Sequence, residues 1–301
     1  MQAMRRRVLF AASVVALGLP LGMSIPAAAA AEERAGPSPS PPDLAAVAPG
    51  DPEAARLARE LWDRWKILVA LETPQTMNGG YRGRIRLEPA APVFADRRQL
   101  AWIVDAVRDF DSFFVDLAAR RGAGASSHPR FRFVPIELRF TRSVGARTPS
   151  AYAHGWTVGW NLAGSLHTSS DAVRETLFHE LFHSNDDAHA AADGTPWSIP
   201  ALGATFDAVV ARCGTKTSCL APYSPNDTMV RGGTFYSFQP GNGVREYAAE
   251  LALRYYREQR AVLRGHAVRN AFKCGPPENE RAWRAMRDEF FGGIDVVPPC
   301  R

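Results

Sequence analysis

Between residues 100 and 117 apolar side chains return at every third or fourth position: Leu100, Ile103, Val107, Phe110, Phe114 and Leu117. That period is helical, so the stretch reads as a long amphipathic helix with its stripe in a core. A similar stripe, Leu57, Leu61, Trp65 and Leu68, predicts an earlier helix over 52–71. The pattern then changes. FRFVPIELRF at 131–140 is rich in β-formers, and AYAHGWTVGWN at 151–161 sets Tyr152, His154, Trp156, Val158 and Trp160 against small or polar neighbours, so both read as strands. Thr168 to Asp171 offers an N-cap with an acid three residues on, and Val173, Leu177 and Leu181 continue as a helical stripe. After a less regular stretch, VREYAAELALRYYREQR at 244–260 is helical by propensity and period, and a last helix is expected around 278–291. Helices and a small mixed sheet in this order define an α+β protein.

The first 30 residues stand apart from this pattern. Arg5, Arg6 and Arg7 precede an apolar run, and alanines then offer an A-x-A cleavage site, which is the layout of a secretory signal peptide using the Sec or the twin-arginine route. Pro20 and Pro26 interrupt the run before it reaches the roughly 20 residues of a membrane span. Residues 31–52 are proline-rich and read as a linker or pro-segment that buries little. The folded part is therefore expected over 53–301: a helical portion at 53–125, sheet and histidine helix at 126–190, and a mainly helical portion at 191–301. The implied location is secreted or periplasmic, with no membrane attachment after cleavage.

Composition narrows the function classes. At 46% hydrophobic and 22% charged the chain suits a packed core rather than disorder. Three of its formal +5 charges lie in the leader, leaving a mature chain near about +2. No basic patch interleaved with aromatics is present, so nucleic acid is not an expected partner. Four cysteines in an exported chain predict disulfides. Of the three possible connectivities, the sequence-local one, Cys213 with Cys219 and Cys274 with Cys300, is expected. A four-cysteine zinc site would need close C-x-x-C pairs, which the spacing lacks.

The segment TLFHELFHSNDDAH at 176–189 carries the chemistry. On a helix His179 and His183 lie on one face and aim both imidazoles at one point, with Glu180 beside them. Neutral imidazole suits zinc, and a carboxylate beside water at such a site can take its proton. With seven histidines in the chain, a chance match has odds on the order of one in a hundred. A catalytic zinc needs a third protein ligand, and two residues compete. His189 stands where the pattern HExxHxxGxxH places its last histidine, with Asp186 at the glycine position and Met229 as the one candidate for a methionine turn. Glu246 is the other. It lies four residues before Glu250 on the later helix, a like-charge spacing that a cation would turn from unfavourable to favourable. Without a metal, Glu250 would be expected on a solvated face, paired with Arg254. His154 and His167 read as surface or core residues rather than ligands.

HELFH followed by Glu246-Tyr247-Ala248-Ala249-Glu250 resembles the gluzincin metallopeptidases, and within them the lethal-factor-like branch with its E-F-F-A-E helix. The resemblance covers two helices. It implies a zincin-like fold, one Zn2+ per chain on His179, His183 and Glu246, Glu180 as general base, and Glu250 as the acid that orients a ligating imidazole. A tyrosine near the third ligand serves the oxyanion in that branch, and Tyr236 is the nearest equivalent, displaced by a few residues. The segment 184–245 is then an insertion. The strand at 151–161 would hold an extended peptide or protein substrate by edge pairing. The expected activity is zinc-dependent peptide hydrolysis. The alternatives are a metzincin-type site using His189 and Met229, or a non-catalytic exported binding protein with a structural metal.

Overall fold

Asp51 shows how the sequence starts the first long helix. Its carboxylate accepts the Ala54 N–H at 3.1 Å, and Pro52 occupies the first helical position, where no N–H is required. The computed structural model describes residues 40–78, 83–120, 128–230 and 233–300, so the expected leader at 1–30 lies outside the described residues. Within the proline-rich segment, one helical turn, α1 (Leu44–Val47), precedes α2 (Pro52–Trp65). Val47 and Ala48 join the core, and buried Asp51 also accepts from the Phe94 N–H and the Arg97 guanidinium, each at 2.8 Å. The folded unit therefore begins earlier than residue 53, and the expectation that this segment buries little fails from residue 44 onward.

Lys66 takes a left-handed conformation (φ 58°) and ends α2, so Leu68 belongs not to the helical stripe but to strand β1 (Leu68–Leu71). Strands β2 (Gln75–Asn78) and β3 (Arg84–Pro89) follow before α3 (Arg97–Ala119). The portion 53–125 is thus mixed rather than helical. The α3 stripe is buried as its period predicts, except that Phe114 is only partly covered.

One six-stranded sheet is organised around β4 (Glu137–Ser143). Along one flank, β1 pairs parallel with its first half and β3 antiparallel with its second. Along the other runs β6 (Thr157–Asn161), parallel, and beyond it β5 (Ala151–His154), antiparallel, forms an edge. Two expectations change here. The strand read at 131–140 starts only at Glu137, because the Arg130 and Phe131 N–H groups go to the Phe290 carbonyl and Pro135 has none to give. The single strand read at 151–161 is a hairpin that reverses at Gly155, whose φ of 54° favours glycine. Its alternation runs through both arms. Val158 and Trp160 lie on the face of Leu138 and Phe140, fully buried, and the Trp160 indole donates to Gln99 of α3 at 3.0 Å. On the opposite face Tyr152 crosses Gly159 so closely that a Cβ there would sit 2.1 Å from its ring.

The remaining helices are α4 (Ser170–Ala188), α5 (Ser198–Cys213), α6 (Thr217–Leu220), α7 (Gly243–Leu263) and α8 (Pro277–Phe290). Ser169 rather than Thr168 caps α4, accepting from the Ala172 N–H at 3.2 Å. Rings of Phe110, Phe178 and Tyr256, with centroids 4.4 to 5.6 Å apart, lock α3, α4 and α7 together. The Asp109 carboxylate of α3 reinforces that junction by accepting from Tyr256 and Arg260 of α7 and from Arg264, which follows its last residue. Both expected disulfides, Cys213–Cys219 and Cys274–Cys300, are formed. Among the described residues no helix is long and apolar enough to cross a membrane.

Candidate metal centre

Helix α4 is buried on nearly every side, with Leu177, Phe178, Leu181 and Phe182 in the core. Polar residues on such a helix must find partners or hold something. Hydrophobic packing against α3 fixes its rotation, and this turns His179 and His183 toward α7. Their Nε2 atoms lie 3.2 Å apart. From α7, Glu246 brings Oε2 within 3.1 Å of His179 Nε2 and Oε1 within 3.5 Å of His183 Nε2. All three donor atoms fall within 4.8 Å of one another, and this cluster has three members among the described residues.

Glu250 is not on a solvated face. It is buried, its Oε1 meets His179 Nδ1 at 3.1 Å, and Arg254 pairs instead with Glu258. Because a carboxylate accepts, the Nδ1 carries a proton, so His179 in its neutral form would present the lone pair of Nε2 to Glu246 and His183. Donors crowded on one point favour a positive charge there, which a proton on His179 or a bound cation would supply. The electrostatics agree: burial alone would lower the His179 pKa, yet Glu246 and Glu250 push it well above the ordinary histidine range. Two imidazoles and one carboxylate, with a carboxylate behind the first imidazole, are a donor set that fits a divalent metal ion.

Glu180 sits in the same wall. Burial raises its carboxyl above the usual range, with His179 and His183 pulling the other way. Tyr236, in a 3-10 turn at Tyr236–Phe238, comes to the site despite its displaced position in the sequence: its ring centroid is 6.0 Å from that of His179. Burial and the Glu246 and Glu180 carboxylates hold its hydroxyl protonated far above neutral pH.

The alternative third ligand lies elsewhere. Helix α4 continues through the Asp186 position to Ala188, so the chain does not turn back toward the histidines, and His189 bonds Glu289 of α8 at 2.6 Å. Asp186 itself is fully buried and accepts from the N–H and hydroxyl of Ser198 at 2.7 and 2.8 Å, and from Arg245 at 3.3 Å. Met229 is half exposed and bridged to Phe235. Of the other histidines, His154 is exposed, while His167 is buried and stacked on Trp160.

One residue at this site had no signal in the sequence beyond the form of a glycosylation sequon, Asn226-Asp227-Thr228. Asn226 is buried and donates to the Glu250 Oε2 at 2.9 Å and to the Glu250 carbonyl at 2.8 Å. No family model, curated protein or solved structure matches this chain.

Proposed function

We propose that the chain is an exported, zinc-dependent peptidase of the zincin type. The observation that supports this most is the convergence of His179, His183 and Glu246, with Glu180 next to His179 on α4 and the Tyr236 ring 6.0 Å from that of His179. Zinc held by those three residues would supply Lewis-acid chemistry, polarising a carbonyl and bringing the pKa of water near about 7. The rest falls to the protein. Glu180 takes the proton of the attacking water on its carboxylate and later returns it to the leaving amine. The Tyr236 hydroxyl, kept protonated by its surroundings, donates to the oxyanion that develops on the carbonyl. Glu250 holds the Nδ1 proton of His179 and so keeps its other nitrogen free to bind.

The edge strand suits an extended substrate. The Asn161 N–H bonds the Ser150 carbonyl, so in an antiparallel ladder the pairs that bond inward include Tyr152 with Gly159. The N–H and C=O groups of Ala151 and Ala153 then point outward, where a peptide can add as a strand. Strand β5 lies against α4, which carries the histidines. Two disulfides, together with the leader expected from the sequence, support export.

The test measures zinc per chain and hydrolysis of an unstructured protein substrate for wild type, Glu246→Ala, His189→Ala and Glu180→Gln. About one zinc is expected in wild type, His189→Ala and Glu180→Gln, and none in Glu246→Ala. Turnover in Glu180→Gln should fall on the order of 10² to 10⁴-fold. Hydrolysis at the wild-type rate in that variant would refute the mechanism, and zinc retained without any turnover in wild type would favour a structural site.

A further inference from the structure

The groups that hold the zinc ligands are themselves held. Glu250 has two carboxylate oxygens, and only Oε1 faces His179. Left alone, Oε2 would be a buried unpaired acceptor, and the carboxylate could rotate between the two. Asn226 removes that freedom. Its amide spends one N–H on Oε2 and the other on the backbone carbonyl of the same glutamate, and its Oδ1 accepts from Arg257 at 3.1 Å. Arg257 in turn pairs with Glu175 at 3.3 Å. Glu175 stands one helical turn before His179, so the chain of contacts leaves α4 at His179, passes through Glu250, Asn226 and Arg257, and returns to α4 at Glu175.

We propose that Asn226 is a positioning residue for the metal centre: it fixes the rotation of the Glu250 carboxylate, and through it the tautomer and orientation of His179. The inference rests on the metallopeptidase reading of the site. It also assigns the sequon. The nitrogen a glycan would occupy makes both hydrogen bonds to Glu250 and is buried, so Asn226-Asp227-Thr228 is a support for the metal site and not a modification site.

A second role is open to any buried asparagine, that of merely stapling the loop at 224–237 to α7. The two roles separate by substitution. Asn226→Asp keeps size and shape but turns a donor into an acceptor facing Glu250. Arg257→Gln, at a half-exposed side chain, weakens the far support without touching Glu250. Ser224→Ala removes the hydroxyl that bonds the Asn226 carbonyl and Ser237, loosening the same loop while leaving the Asn226 amide in place.

The experiment titrates chelator-stripped full-length protein with zinc against a competing indicator, and measures the melting temperature of each metal-free protein alongside. Zinc affinity should fall about 10 to 100-fold in Asn226→Asp, the range seen when partners behind metal ligands are lost, and several-fold in Arg257→Gln. Ser224→Ala should melt earlier yet bind zinc as wild type does. Wild-type affinity in Asn226→Asp, or in Arg257→Gln if the first variant does not fold, would overturn the inference while leaving the metal centre intact. A wild-type chain that takes up no zinc would overturn the metal centre and this inference together.

Discussion

His167 provides a quantitative check on the joint that aims α4. Its ring lies flat on Trp160 of β6, centroids 4.0 Å apart and planes 9° from parallel, in the turn that carries the chain into the histidine helix. It is 7% exposed, and neither ring nitrogen makes a hydrogen bond of good geometry. Burial pushes its pKa down from 6.5 to about 4, against a smaller pull upward from the Asn161 carbonyl. Between those values the unfolded chain binds a proton that the folded chain refuses, so stability drops as the pH falls. The shift is roughly 2.5 units at about 1.4 kcal/mol each, and integration from pH 7 to pH 4 leaves a loss of about 3 kcal/mol. Urea denaturation of wild type and His167→Phe, both with chelator, measures it across that range. Groups common to both proteins cancel in the difference. The stability difference between the two should shift by about 3 kcal/mol in favour of the variant on acidification. Curves that stay parallel would refute the argument, whatever the variant does at pH 7.

Two further predictions concern the frame around the site. Asp109→Asn should lose about 2 to 3 kcal/mol at pH 7, read from the denaturation midpoint, because Arg260 and Arg264 keep their charges without a partner. Burial raises the Asp109 carboxyl, but Arg260, Tyr256 and Arg264 draw it below its usual value; the wild-type advantage is therefore present above the unfolded pKa and shrinks as the pH falls below it. The disulfides should rank by the loops they close: with sequence separations of 26 and 6, replacing Cys274 and Cys300 by serine should lose about 3 kcal/mol and replacing Cys213 and Cys219 about 2. The reverse order in melting experiments would show that the chain-entropy argument fails here.

What the sequence displayed and what it hid follow from the range of the forces involved. His179, His183, Glu246 and Glu250 were legible because helical spacing and residue type coincide within five residues. Strands β1, β2 and β3 span only four to six residues, too few for a period of two to show against their surroundings. Helix α5 was hidden by Pro200 and Gly203, both poor helix formers in isolation. It forms because Pro200 falls in the first turn, where an N–H is not needed, and because Asp186 supplies the acceptor that the Ser198 N–H lacks. Asn226 had no periodic context at all, since its partner is 24 residues away.

Asp186 also decides between the two ligand sets that the sequence left open. A glycine there would allow the chain to leave the helix and bring His189 around. The carboxylate does the opposite in two ways. It caps α5, which keeps the chain helical through Ala188 and sends His189 to Glu289. It also accepts from Arg245, in the first turn of α7 and adjacent to Glu246, and so draws that turn onto α4 beside the histidines. One buried side chain thus excludes the histidine from the cluster and delivers the glutamate to it. The departure from the HExxHxxGxxH pattern at Asp186 was therefore the informative residue, although its meaning depended on Ser198 and Arg245, which no local pattern connects to it.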